Sequence, residues 1–194
     1  MELLYKNKVS KSVADIVVRR SEELPIEPDW FMFLANDIES GLNPYSINPY
    51  GCFSWIQFCP VFPNGGYKTI NGKHYFFSEL KNWTPEQLLN LSFDYLKEQQ
   101  HIYGRFESYH DLYFSILYPA AIGKQDTYVL NTKTNQLFDI NKDGKITVGE
   151  VKKYLDDRVK LKVPTAYWNT FFKKKTFCSY IRKKSCSGVQ LQAA

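Results

Sequence analysis

Apolar positions along the first hundred and twenty residues fall mostly at helical spacing. In residues 11–20, Val13, Ile16 and Val17 share one face, with Ser12 as a candidate cap. Pro25 and Pro28 close that unit, and Pro28 suits the first turn of a second helix. Trp30, Phe31, Phe33, Leu34 and Ile38 give that helix a wide apolar face, and Gly41 is placed to stop it in a left-handed conformation. Glu39 therefore falls in the last turn of a strongly apolar helix.

Residues 41–75 are rich in Gly, Pro, Asn and aromatics, and read as loops with one short helical piece at Ser54 to Phe58. Pro63-Asn64-Gly65-Gly66 is turn chemistry, and a hairpin is predicted over Tyr67 to Phe77 around Asn71-Gly72. Thr84, with Gln87 three residues on, marks a helix start. That helix runs through Leu88, Leu89, Leu91, Phe93, Tyr95 and Leu96 to about His101, before Gly104. Another is predicted from Ser108 to about Tyr118, ending at Pro119. The pattern predicts a mainly α (α+β) domain with a small β-hairpin.

At 194 residues the chain has room for one hydrophobic core, and 44% hydrophobic with 23% charged residues is a folded composition. No apolar run is long enough to span a bilayer. Met1 to Lys8 lack the apolar stretch of a secretory signal, so an export route of another kind is expected. The net charge of +5 is uneven: residues 158–194 carry nine Lys or Arg and no Asp or Glu. The preceding residues hold 16 basic and 20 acidic side chains, a net of −4. We therefore divide the chain into a domain over 1–157 and a basic segment over 158–194. In that segment Tyr167, Trp168, Phe171, Phe172, Phe177 and Tyr180 interleave with Lys173-Lys174-Lys175 and Arg182-Lys183-Lys184. Such a segment suits an anionic wall polymer, a membrane surface or a virion protein, with nucleic acid ranked behind them. Cys52, Cys59, Cys178 and Cys186 match no zinc spacing; Cys52 and Cys59 lie in apolar sequence and are expected to be buried free thiols, and no disulfide is assigned.

Residues 139–150 read D-I-N-K-D-G-K-I-T-V-G-E. Asp139, Asn141, Asp143, Thr147 and Glu150 stand at the side-chain ligand positions of an EF-hand-like loop, and Lys145 supplies its carbonyl. Gly144 makes the sharp turn, and Ile146 is the apolar position. Hard oxygens at this spacing point to Ca2+. Residues 127–138 do not read as a long incoming helix, so the expected role is a structural clip before a helix at about 147–157, not a sensor. No organic cofactor is expected.

Glu39-Ser40-Gly41, Asn43-Pro44, Asn48-Pro49 and Gly51 leading to Ile56-Gln57-Phe58 together resemble the lytic transglycosylase domain of the lysozyme superfamily. Leu117-Tyr118-Pro119-Ala120-Ala121-Ile122-Gly123 looks like the third element of that family in its phage and Bacteroidetes-type variant, where a calcium loop is also expected to follow. The resemblance covers roughly residues 28–157. It implies a lysozyme-like fold that cleaves the bond between MurNAc and GlcNAc in bacterial peptidoglycan, with Glu39 catalytic. By the same resemblance Ser40 orients the acid or contacts substrate, Gln57 bonds an N-acetyl group, and Tyr118 lies beside Glu39. Two departures stand out. Ser54-Trp55 replaces Gly-Leu, so that Trp55 is expected to plug the cleft or stack on a sugar, and Tyr-Pro-Ala-Ala replaces Ala-Tyr-Asn.

The chemistry can be argued from the residues as well. Breaking a glycosidic bond needs a proton for the leaving oxygen. A carboxyl at an apolar helix end is held protonated by desolvation and by the negative end of the helix dipole. Ordinary hydrolases add a second carboxylate. Asp37, two residues from Glu39, is expected to point away into water, and nothing in the sequence sets Glu107 or Asp111 opposite Glu39. The resemblance implies instead attack by the sugar's own 6-hydroxyl, giving a 1,6-anhydro end. A hydrolytic muramidase on the same fold and a non-catalytic virion or wall-binding protein are the rival readings.

Overall fold

The computed structural model describes residues 2–60, 66–131 and 136–172. These form a mainly helical domain with one small two-stranded antiparallel sheet. Helix α1 spans Lys11–Glu23 and α2 Pro28–Phe33, the latter running on into a π-helical turn over Leu34–Glu39. Strands β1 (Tyr67–Ile70) and β2 (Lys73–Phe76) follow, then α3 (Phe77–Leu80) and α4 (Pro85–Tyr103). Helices α5 (Tyr109–Leu117), α6 (Val148–Lys162) and α7 (Trp168–Phe172) complete the order.

The starts and stops follow local chemistry. Thr84 and Gln87 exchange bonds in a capping box at α4, and Gly104 ends that helix at φ 102°. Ser108 with Asp111, and Thr147 with Glu150, do the same for α5 and α6. The hairpin pairs Tyr67 with Phe76 and Ile70 with Lys73, and Asn71 and Gly72 both take positive φ at its turn. At α1 the cap is Ser10, whose hydroxyl accepts from the Val13 amide at 3.2 Å, and not Ser12. Residues 54–58 are not helical: they form a tight turn between Phe53 and Phe58.

The core is aromatic. Phe31 of α2 stacks on Phe93 of α4 at 4.7 Å, and Phe33 meets Phe171 of α7 edge-on at 5.5 Å. Tyr109 of α5 packs against the same Phe171 at 5.2 Å, and Trp30 Nε1 donates to the Thr170 carbonyl at 2.7 Å. Residues 158–172 are thus part of the packed unit, with Val159, Val163 and Phe171 buried. The expected division after residue 157 does not fall at an edge of this core, because α6 continues to Lys162 and α7 returns to cover α2. Phe177, Tyr180, the Lys173–Lys175 and Arg182–Lys184 clusters, Cys178 and Cys186 lie outside the described residues. Among the described residues no helix is long and apolar enough to cross a membrane.

Candidate functional site

The π-helical turn positions Glu39. The Ala35 carbonyl accepts from the Ser40 amide five residues on at 3.1 Å, from the Leu42 amide at 3.1 Å and from Ser40 Oγ at 3.3 Å. A continuous α-helix was expected here; the wide turn arises because Ser40 and Leu42 both gather on one carbonyl, with Gly41 and Leu42 at positive φ just beyond. Ser40 is buried and does not line the cavity described below, so its side chain shapes the turn that carries Glu39. Asp37 does not simply face water: its Oδ2 accepts from the Tyr5 hydroxyl at 2.7 Å, tying the N-terminal segment to the outer side of this turn.

Glu39 lines a cavity of about 520 Å³. Ile116, Leu117 and Tyr113 of α5 form one side of it, and Asn48, Tyr50, Cys52, Gln57 and Cys59 contribute from the loop after Glu39. Leu137 and Phe138, just before the cation-type loop, and Tyr154 of α6 complete most of the lining. Burial pushes the Glu39 carboxyl up to about 8 from its ordinary 4.5. No hydrogen bond or ion pair holds that carboxyl among the described residues. All 20 Asp and Glu of the chain fall within the described residues, and of these Glu39 alone lines the cavity. Asp111 is taken up capping α5, where its Oδ2 accepts from the Ser108 and Glu107 amides, and Glu107 itself is exposed beside Arg105.

Gln57 is buried in the cavity wall. Its Nε2 donates to the Ser54 carbonyl at 2.8 Å and to the Ser46 carbonyl at 3.2 Å. Those two acceptors fix which end of the amide is nitrogen, and Oε1 is left buried without a partner among the described residues. Asn48 uses Oδ1 to accept from the Tyr50 and Cys52 amides, at 2.9 and 3.0 Å, which leaves its Nδ2 as the donor. Gln57 and Asn48 thus both line the cavity that holds the carboxyl.

Cys52 and Cys59 are not the free thiols that their apolar sequence predicts: they are joined in a disulfide. The reason is local pairing. Phe53 and Phe58 exchange both backbone bonds, at 2.8 and 2.7 Å. One step outward lies a non-hydrogen-bonded pair, where side chains on one face are closest. Cys52 and Cys59 occupy that step. Ser54 and Gln57 turn the chain between them at positive φ. Ser54 thus holds, with a side chain, the backbone conformation that favours glycine.

Trp55 does not reach the cavity. Its ring is 2% exposed and its Nε1 donates to the Pro85 carbonyl at 3.0 Å, so it packs the turn onto α4 instead of plugging the cleft or offering a stacking face. Tyr118 is half-buried against the core and is not among the lining residues. The tyrosine that lines the cavity is Tyr113, whose hydroxyl is held well above its ordinary range by burial, by the charge of Glu39 and by Tyr154. The sequence carried a signal for this: Tyr113, Ile116 and Leu117 are spaced i, i+3, i+4, one helical face, whereas Tyr118 sits past the helix end.

The loop over 139–150 has the shape its pattern predicts, with Lys142 and Gly144 at positive φ. Asp139 Oδ1 and Oδ2 accept from the amides of Asp143 and Gly144 at 3.1 and 3.0 Å. Asp143 Oδ1 accepts from the Lys145 amide at 2.8 Å, and Glu150 Oε1 reaches back across the loop to the Asn141 amide at 3.3 Å. Thr147 caps α6 and bridges to Val129, and Ile146 accepts from the Leu130 amide at 2.8 Å. The set Asp139, Asn141, Asp143, Lys145, Thr147 and Glu150 is made of oxygen donors, the kind a hard cation takes, and the oxygens of its first, third, fifth and twelfth positions accept from the loop's own amides. Among the described residues no group of three or more His, Cys, Asp or Glu side chains is gathered as a metal centre, the carboxylates of Asp139, Asp143 and Glu150 included.

Compared with protein families, curated proteins and solved structures, the chain matches none.

Proposed function

We propose that this chain cleaves the β-1,4 bond between MurNAc and GlcNAc in bacterial peptidoglycan, with Glu39 as general acid and then general base. The observation that carries the reading is a single half-buried carboxyl, raised to about 8, that alone among the chain's carboxylates lines a cavity of about 520 Å³. Such a volume suits one or two sugar rings, and small-ligand sites span roughly 300–1,000 Å³.

A carboxyl titrating near 8 holds its proton at neutral pH. It gives that proton to the glycosidic oxygen as the bond to the anomeric carbon breaks. Water-using glycosidases need a second carboxylate, at roughly 5 to 9.5 Å from the first depending on stereochemistry. None lines this cavity, which favours the nucleophile that the resemblance implies, the 6-hydroxyl of the same MurNAc ring, over water. Glu39, now ionised, takes the hydroxyl proton as that oxygen bonds to the anomeric carbon. A 1,6-anhydro ring forms, no water is consumed, and Glu39 ends protonated.

The amide side chains of Gln57 and Asn48 line the cavity and supply the chemistry that suits an N-acetyl group, and Tyr113 flanks the acid. Ca2+ would be held by the side chains of Asp139, Asn141, Asp143, Thr147 and Glu150 and the Lys145 carbonyl. There it supplies a structural clip ahead of α6. A phage lytic or virion-associated enzyme fits the reading, with the basic C-terminal segment directed to virion proteins or a membrane surface. The test is clearance of purified sacculi. The natural chain lowers the turbidity and Glu39→Gln does not; equal behaviour of the two rejects the reading and leaves a wall-binding or virion structural protein.

A further inference from the structure

Two of the three most exposed large apolar side chains among the described residues, Tyr50 at 70% and Leu137 at 65%, line the Glu39 cavity, while Leu161 at 72% lies away from it. Single exposed apolar residues are ordinary on proteins. Tyr50, however, stands on a loop whose backbone is pinned on every side. Asn48 Oδ1 accepts from the Tyr50 amide at 2.9 Å and from the Cys52 amide at 3.0 Å. The Asn48 carbonyl accepts from Gly51 at 2.9 Å, its amide donates to the Cys52 carbonyl at 3.0 Å, and the Cys52–Cys59 disulfide closes the next step. Gly51, at φ 78°, makes the turn that sets the ring at the cavity mouth. A rigid loop that holds an aromatic ring out in water gains nothing in folding from that ring; it is pre-organised for a partner.

We propose that Tyr50 is a glycan-binding platform, its ring face taking the C–H face of a pyranose ring next to the one held at Glu39. Leu137, from the segment entering the cation-type loop, adds apolar contact at the same mouth. This rests on the glycan-cleaving reading above and extends it from the ring held at Glu39 to a site that selects a chain. The chemistry is complementary. A β-linked pyranose is apolar on its ring faces and polar around its edge, so an aromatic face can cover the former while the hydroxyls stay in water. The contact uses the ring and not the phenolic hydroxyl.

The experiment is isothermal titration calorimetry of a soluble GlcNAc–MurNAc tetrasaccharide into Glu39→Gln protein, which binds without turnover. Adding Tyr50→Ala weakens affinity about tenfold, in line with an aromatic contact plus its buried area. Tyr50→Phe stays within about twofold, because the stacking face is kept. Leu137→Ala weakens binding a few-fold, and Leu161→Ala, as exposed but remote, leaves it unchanged. Tyr50→Ala binding as tightly as its parent overturns the platform while the glycan reading stands. Tyr50→Phe falling as far as Tyr50→Ala also overturns it, in favour of a hydroxyl contact. A parent that binds neither tetrasaccharide nor intact sacculi overturns both.

Discussion

Replacing Glu39 by Gln should make the protein more stable at neutral and alkaline pH, and the size of the gain follows from where the carboxyl titrates. In the unfolded chain a glutamate loses its proton near 4.5; in the fold burial moves that to about 8. Between those values the folded state holds a proton that the unfolded state has released, so stability falls as pH rises. The loss begins near pH 4.5 and is complete above pH 8. Each pH unit between the two is worth about 1.36 kcal/mol, which makes the loss about 3 kcal/mol at pH 7 and nearly 5 kcal/mol at pH 9. Glu39 keeps partial solvent contact, and screening reduces this to about half. Glutamine has the same shape and no charge to desolvate. Urea unfolding of both proteins at pH 4 and pH 9 should therefore give curves that nearly coincide at pH 4. At pH 9 Glu39→Gln should be more stable by about 2 kcal/mol or more. Parallel dependence on pH in the two proteins would refute a desolvated Glu39. The same carboxyl sets the activity profile: kcat/KM of the natural chain should fall as pH rises through about 8, because the proton donor is lost.

Tyr113→Phe should lower kcat about tenfold with little change in KM, whereas Tyr118→Phe should leave kcat alone; steady-state kinetics on soluble glycan strands separates them. Cys52→Ser with Cys59→Ser opens an eight-residue loop, which lowers stability by about 2.5 kcal/mol on the chain-entropy account, read by urea unfolding with and without a reductant. Adding Ca2+ should raise the Tm of the natural chain and not that of Asp139→Ala, with a chelator reversing the gain. Because Phe138 packs on Tyr113 at 6.2 Å and on Tyr154 at 5.1 Å, Ca2+ should also tighten tetrasaccharide binding measured by calorimetry.

The helices were legible because their signals are local. The Thr84 and Gln87 box, the Asn71-Gly72 turn and the Pro28 start each rest on residues within a few positions, and the structure carries them all. What the sequence hid depended on contacts made across the chain. The fate of Trp55 is decided by the Pro85 carbonyl thirty residues on, which no local pattern announces. The disulfide needed the pairing of Phe53 with Phe58, a turn written in positive-φ Ser and Gln where glycine is the usual mark. Tyr118 attracted attention through its motif, yet helical phase puts Tyr113 on the cavity face. Positive charge marks solvent, yet Phe171 sits inside a basic stretch and packs inward. Glu39 was readable from its position at an apolar helix end; the π-helical turn that aims it was not, since it depends on three bonds to one carbonyl.

We propose that one carboxyl cleaves glycan strands with the sugar's own hydroxyl and without water. Mass spectrometry of the fragments released from purified sacculi tests it most directly. The expected MurNAc ends are one water lighter than a hydrolysed end and inert to borohydride, and they are absent when Glu39→Gln protein is used. Fragments with ordinary reducing ends, or incorporation of oxygen-18 from labelled water into the product, would contradict it.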